Sequence, residues 1–491
     1  MPTPRVIIIG AGAGGLAAAI DLSRRGAAVT VLESAAVPGG KLRQLGGIDA
    51  GPTVFTMRWV FDSLFADAGT ALDAHLTLRP LEVLARHAWN AHDRLDLFAD
   101  PARSADAIGR FAGAAEAAGF RDFCARAARV YRTLEAPFIK SPRPTALSLA
   151  GDTGLAEMRG ISPFTTLWRA LGEHFRDPRL RQLFGRYATY SGSSPFAAPA
   201  TLMLIAHVEQ QGVWAVQGGM VRLAEAMAAL AQRQGAVIRT GAPVAEVLVA
   251  NRHATGVRLA SGERIAADAV VFNGDYAALA PGRFGADAAR AVPRPKPQGR
   301  SLSAVTWAIT ARTAGFPLSR HNVFFSGDYQ AEFDDILRRG RLPTGPTVYV
   351  CAQDRGAPGD EPDGAAERLL ILVNAPATGD RHDFTAAETE ACATTTFDLL
   401  ARCGLNVDRR PDSTILTTPT DFARLYPGTG GALYGQAVHG SMAAFRRPGS
   451  RSALTGLYLA GGSVHPGPGV PMAVLSGRLA AARLLADLTS G

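Results

Sequence analysis

The feature that most constrains this chain is the apolar run Val6 to Ile9, followed at once by GAGAGG at residues 10–15. A short unbroken apolar run before glycines reads as a parallel strand buried on both faces. A small-residue helix from Gly14 to Arg25 and a second strand, Ala28 to Leu32, complete a strand-helix-strand unit. Gly10, Gly12 and Gly15 match GxGxxG, with Gly14 between them. The first glycine permits the tight turn, the second lets backbone approach a pyrophosphate, and the third allows close helix-sheet packing, while the helix N-terminus offers aligned N–H groups to the anion. Glu33 ends the second strand, where a carboxylate accepts the hydroxyls of an adenosine ribose and disfavours a 2'-phosphate. The unit therefore predicts dinucleotide binding and argues against NADP, with FAD and NAD both open at this point.

At 491 residues and 47% hydrophobic composition the chain exceeds the usual size of one domain, so two are expected. The formal charge is +8, and Lys41, Lys140 and Lys296 are the three lysines, so arginine carries most of the positive charge. There is no long basic block and no nucleic-acid motif, which excludes nucleic acid as the expected partner. Cys124, Cys351, Cys392 and Cys403 are scattered without CxxC or metal-ligand spacing, and the start of the chain lacks a signal-peptide pattern, so a cytoplasmic location is expected. The longest uncharged run, Tyr187 to Val208, contains Gly192, Pro195 and Pro199 and reads as a loop entering a buried helix rather than a membrane span.

Downstream, Leu81 to Trp89 and Arg94 to Phe98 read as paired strands and Ala105 to Leu134 as mostly helical. A helix at Val221 to Gln234 and short strands at Val237 to Arg239, Ala245 to Val249, Ala254 to Leu259 and Ala269 to Phe272 mark where a split nucleotide-binding domain resumes. A strand at Leu457 to Ala460 and a helix at Pro471 to Leu488 close the chain. Ser162-Pro163 reads as a helix start, with Phe164, Leu167, Trp168, Leu171 and Phe175 on one face. Such a face either packs into a core or dips into a membrane interface.

Three further motifs carry a resemblance. Pro38-Gly39-Gly40-Lys41 follows the ribose acid, Asp49-Ala50-Gly51-Pro52-Thr53 comes next, and Gly456 to Ser463 with His465 to Pro471 lies near the end. Together with Val213 to Gly219 and Asn273-Gly274-Asp275, these resemble the carotenoid desaturases, the bacterial phytoene desaturase-like members of the amine oxidase superfamily of flavoproteins. The resemblance covers nearly the whole chain. It implies FAD as cofactor, with Gly40, Lys41, Arg43, Gly51, Pro52, Thr53, Val244, Gly461, Gly462, Gly469, Val470 and Met472 joining Gly10, Gly12, Gly14, Gly15 and Glu33 in holding it. Lys41 departs from the arginine usual in that superfamily, and Arg43 is the alternative phosphate contact. The implied fold is α/β, a discontinuous Rossmann-like FAD-binding domain (1–78, 213–290 and 415–491) with an inserted α+β substrate-binding and membrane-associating domain (79–212 and 291–414).

Within that family, Arg186 to Phe196 leading into Ala206 to Glu209 is more similar to 1-hydroxycarotenoid (hydroxyneurosporene) 3,4-desaturases than to phytoene desaturases. The resemblance thus implies dehydrogenation of an acyclic carotenoid, with phytoene desaturation, flavin-dependent isomerisation and non-catalytic prenyl-lipid carriage as the competing readings. Tyr187, Tyr190, Ser193 and Trp168 are the candidate substrate contacts, although the hydroxyl-rich loop also reads as a turn held by its own side chains. The catalytic residues stay unknown; Asp152 lies where relatives carry a substrate-side acid. A lipid-dissolved substrate implies peripheral membrane contact. With no second GxGxxG after a strand, an external electron acceptor is expected. His87, His92, His207, His321, His439 and His465 lack metal-ligand spacing, so no metal is expected.

Overall fold

The computed structural model describes residues 3–145, 148–149, 161–162, 164–356 and 364–489. Five parallel strands form one sheet in the order Leu457–Leu459, Ala269–Phe272, Arg5–Ile9, Ala28–Leu32 and Val237–Arg239. Its strands thus come from the first, middle and last parts of the chain. Ile7 and Ile9 meet one core and Val6 and Ile8 another, which is why the run is apolar without alternation.

The helix Ala13–Ser23 is buried from Gly14 to Ser23. It lies in one core with the helices Val221–Arg233 and Val470–Thr489. Small residues allow this. A Cβ on Gly477 would stand 2.0 Å from the Gly14 carbonyl oxygen, and one on Gly15 would stand 2.1 Å from that of Gly10. Three antiparallel strands, Val244–Ala250, His253–Leu259 and Arg264–Ala266, lie beside the parallel sheet.

The second large element is a seven-stranded sheet in the order Thr414–Thr417, Ser303–Ala311, Glu367–Ala375, Val348–Ala352, His321–Phe324, Val83–Ala88 and Arg94–Phe98. Residues two apart share a face. Trp307, Val350 and Ile371 pack on one side in the core that includes Leu399 and Leu400 of the helix Ala386–Arg402. Thr306, Val323, Tyr349 and Leu372 fall on the opposite side, in one row across the strands, and line a cavity.

Ala105 to Leu134 is mostly helical, as expected: helices Pro101–Ala112 and Ala114–Leu134 meet at Gly113, whose φ of 101° ends the first. One local expectation is corrected. The helix expected from Ser162 begins at Leu167, where the Thr166 hydroxyl accepts the Arg169 N–H at 3.3 Å. Ser162 has φ 47°, outside helical geometry, and Pro163 lies outside the described residues. Leu167, Leu171 and Phe175 are core residues, whereas Phe164 is 85% exposed, so the apolar face is not one membrane-facing stripe. Among the described residues no helix is long and apolar enough to cross a membrane.

Candidate active site

One cavity of about 920 Å³ runs from the glycine turn to the lining face of the seven-stranded sheet. At the turn end, Gly10 (φ 97°) and Gly40 (φ 60°) adopt backbone conformations that favour glycine. A Cβ on Gly14 would meet Asn273 Oδ1 at 2.6 Å and the Ala473 carbonyl oxygen at 2.9 Å. On Gly12 the nearest atom would be Asn273 Nδ2 at 3.2 Å. Asn273 Nδ2 itself donates to the Gly10 carbonyl oxygen at 3.0 Å, so the returning strand holds the first turn.

Glu33 is buried at the end of its strand. Its Oε2 accepts the Ala11 N–H at 2.7 Å and its Oε1 the Ala35 N–H at 2.8 Å. These bonds fix the carboxylate on the cavity wall. The Lys41 ammonium donates to the Leu433 carbonyl at 2.5 Å and lies 5.1 Å from the centre of the Tyr426 ring. Burial lowers its pKa, against the opposing charge of Asp275. Among the described residues no carboxylate is ion-paired with it.

Gly51, Pro52 and Thr53 continue the wall, and a Cβ on Gly51 would stand 1.8 Å from the Lys41 carbonyl oxygen. Val244, Gly461, Gly462, Gly469, Val470 and Met472 line it too. Val470 begins the last helix, whose first-turn N–H groups lack intrahelical acceptors, and Pro471 suits that turn because it has no N–H to satisfy. Gly15 sits just behind the wall. Arg43 is set back, its guanidinium 5.8 Å from the centre of the Phe422 ring.

At the sheet end the wall is mainly apolar, with Leu202, Leu204, Ile205, Val208, Leu370 and Leu372, and polar groups are few and grouped. Tyr190 lines the cavity and donates to Glu209 Oε1 at 2.5 Å. Tyr187 stands behind it and donates to Glu209 Oε2 at 2.7 Å. Burial alone would lower the pKa of Arg186, but the neighbouring Tyr190 hydroxyl and the charge of Glu209 outweigh it and raise it. Ser193 is fully buried and accepts the Val438 N–H at 2.8 Å. Trp168 packs behind the wall on Phe196, with ring centres 4.7 Å apart. Of the four candidate substrate contacts, therefore, Tyr190 reaches the cavity. Asp152 lies outside the described residues.

Tyr349, Arg447 and Tyr329 escaped the sequence reading. Thr53 Oγ1 and Tyr349 Oη are 2.7 Å apart, and Tyr349 Oη is 2.7 Å from His321 Nδ1. Burial lowers the His321 pKa to about 3, so its imidazole is neutral. Arg447 is buried and donates to the carbonyls of Gly462 (3.3 Å), Ser463 (3.4 Å), Tyr434 (3.2 Å) and Gln436 (2.6 Å), and burial lowers its pKa to about 10. Tyr329 lines the cavity beside the buried Glu332, to which it is related by one helical turn.

The profile of the family described as flavin containing amine oxidoreductase matches residues 13–485. The chain belongs to that family. This flavin-containing oxidoreductase is 57% identical to the hydroxyneurosporene desaturase of Rubrivivax gelatinosus, over 99% of this chain and 94% of that one. It is 48% identical to the hydroxyneurosporene desaturase of Cereibacter sphaeroides, over 99% and 98%. A solved putrescine oxidase variant superposes with a TM-score of 0.60 at 16% identity, covering 99% of this chain and all of that one, which shows the shared fold.

Proposed function

We propose that this oxidoreductase desaturates an acyclic 1-hydroxylated carotenoid, introducing the 3,4 double bond, with FAD as cofactor. The observation that carries the reading is the continuity of one cavity from the glycine turn to an apolar wall. A dinucleotide at one end and a long hydrocarbon at the other then share one enclosed space. Full-length similarity to hydroxyneurosporene desaturases supports the substrate class.

The turn suits FAD because its glycines leave a cradle that side chains would fill. Glu33 would hold the ribose, Gly12 and the N–H groups of the following helix the diphosphate, and Lys41 a neighbouring oxygen. Free N–H groups at Val470 and Met472 would favour negative charge at the edge they face. When bound, FAD supplies the hydride acceptor. The apolar walls exclude water. Loss of a hydride beside a polyene leaves a delocalised positive charge, so the neighbouring proton needs no strong base. The Tyr349 hydroxyl, shared by Thr53 and neutral His321, offers it a path to an imidazole nitrogen.

In this reading residues 1–78, 213–290 and 415–491 form the FAD-binding domain, 79–212 and 291–414 the substrate-binding domain, and the enzyme is a cytoplasmic protein touching the membrane peripherally. Phe164 and Met442, exposed and also lining the cavity, support an entrance that meets lipid. Electrons leave to an external acceptor. The test is incubation of the FAD-loaded protein with phytoene, neurosporene and 1-hydroxyneurosporene in liposomes. A product two hydrogens lighter, formed fastest from the hydroxylated substrate, is expected. Unchanged mass would indicate isomerisation or carriage, and faster turnover of phytoene would indicate phytoene desaturation.

A further inference from the structure

Hydroxylated and plain carotenoid ends have nearly the same shape, so discrimination needs a polar group that the hydroxyl satisfies and a hydrocarbon leaves unpaired. Most polar groups on the apolar wall are already committed. Tyr190 is bonded to Glu209, and Tyr349 to Thr53 and His321. Tyr329 is different. Its ring lines the cavity, the residue is 6% exposed, and its hydroxyl has no hydrogen-bond partner among the described residues. Packing holds the ring: Phe333 lies 5.2 Å away, Trp168 6.1 Å, Phe196 6.1 Å and Phe325 6.5 Å between centres.

The surroundings reinforce the point. Glu332, three residues on, is 1% exposed and accepts from Thr347 N (3.0 Å), Thr347 Oγ1 (2.7 Å) and Asn374 Nδ2 (3.1 Å). It makes no salt bridge among the described residues. Thr347 and Asn374 line the cavity with Tyr329, so three cavity-facing polar residues gather around one buried carboxyl. Thr347 immediately precedes the strand Val348–Ala352 and is two residues from Tyr349, about 7 Å along the extended chain. Tyr349 in turn meets Thr53 of the segment proposed to approach the flavin.

We propose that Tyr329, on the same cavity wall as Thr347 and Asn374, is the residue that recognises the substrate hydroxyl and sets the preference for 1-hydroxylated carotenoids. This deepens the desaturase reading and rests on it. Bound hydroxylated substrate pairs the orphan hydroxyl, whereas a hydrocarbon end leaves it unpaired as it is in the free protein. Trp168 and Phe196 act as positioning residues for the tyrosine ring.

The test compares wild type with Tyr329→Phe on 1-hydroxyneurosporene and neurosporene in liposomes. The variant should lower the ratio of kcat/KM for the two substrates about tenfold, mainly through KM. Its substrate-free Tm should equal or exceed that of wild type, because an unpaired buried hydroxyl is removed. An unchanged ratio, or a fall in Tm, would overturn the assignment. Binding of both carotenoids, read from their absorption shift on leaving the liposome, separates the two levels of the argument. Wild type that prefers the hydroxylated ligand but does not desaturate it keeps the pocket and refutes the reaction; wild type that binds both equally refutes the pocket.

Discussion

Asn273 donates its side-chain amide to the carbonyl oxygen of Gly10 at 3.0 Å, joining residues 263 positions apart in the chain. The bond ties the end of the Ala269–Phe272 strand to the first glycine of the turn. It also places Asn273 where it limits what can stand at Gly12, Gly14 and Gly15.

That crowding separates two glycine substitutions. Gly12→Val should give a folded protein that has lost its flavin, since its Cβ comes no closer than 3.2 Å to protein, at Asn273 Nδ2. Gly15→Val should instead fail to fold, with a Cβ 2.1 Å from the Gly10 carbonyl oxygen. Flavin absorbance per mole of protein, measured with the thermal unfolding midpoint, checks both. Full flavin retention in folded Gly12→Val would remove the turn from the cofactor site.

Glu33→Gln should weaken FAD binding more than tenfold. The neutral amide accepts less strongly, and it turns a donor toward an N–H group that needs an acceptor. Titration of the apoprotein with FAD reads the affinity, and a wild-type value would contradict the ribose role.

How much of this was legible in sequence depended on range. The strand, turn and helix at residues 5–23 and Glu33 could be read because their signals are local. The strands Ser303–Ala311 and Glu367–Ala375 were missed because the first is buried on all but one residue and the second carries the unbroken apolar run Leu369 to Val373, so neither sequence alternates. Arg447 was invisible because its partners are backbone carbonyls, which leave no pattern. Tyr329, Thr347 and Asn374 are distant in sequence and converge only through tertiary packing. The helix face at Leu167 was read correctly as apolar but placed too early, since Ser162-Pro163 mimics a cap that Thr166 supplies.

Membrane contact should accordingly follow Phe164 rather than the buried face. Phe164→Asp should reduce liposome co-sedimentation without unfolding, because the side chain is exposed. Leu171→Asp should unfold the protein, with a charge placed in the core. Unchanged sedimentation of Phe164→Asp would move the contact elsewhere.

Burial raises the Glu332 carboxyl from 4.5 to about 7. A raised carboxyl pKa makes its contribution to stability greatest below pH 4.5 and lost as pH rises through about 7. Glu332→Gln should remove this dependence, a difference on the order of 3 kcal/mol at most. Urea unfolding of both proteins from pH 5 to pH 8 measures it. Parallel curves would show that the group does not titrate in this range.

The most direct measurement is a single anaerobic turnover of FAD-loaded protein with 1-hydroxyneurosporene in liposomes. If the cavity joins the dinucleotide end to the carotenoid end, the visible flavin absorbance should bleach as one equivalent of a red-shifted carotenoid, two hydrogens lighter, appears for each flavin reduced. Bound carotenoid with unbleached flavin and unchanged mass would contradict the account.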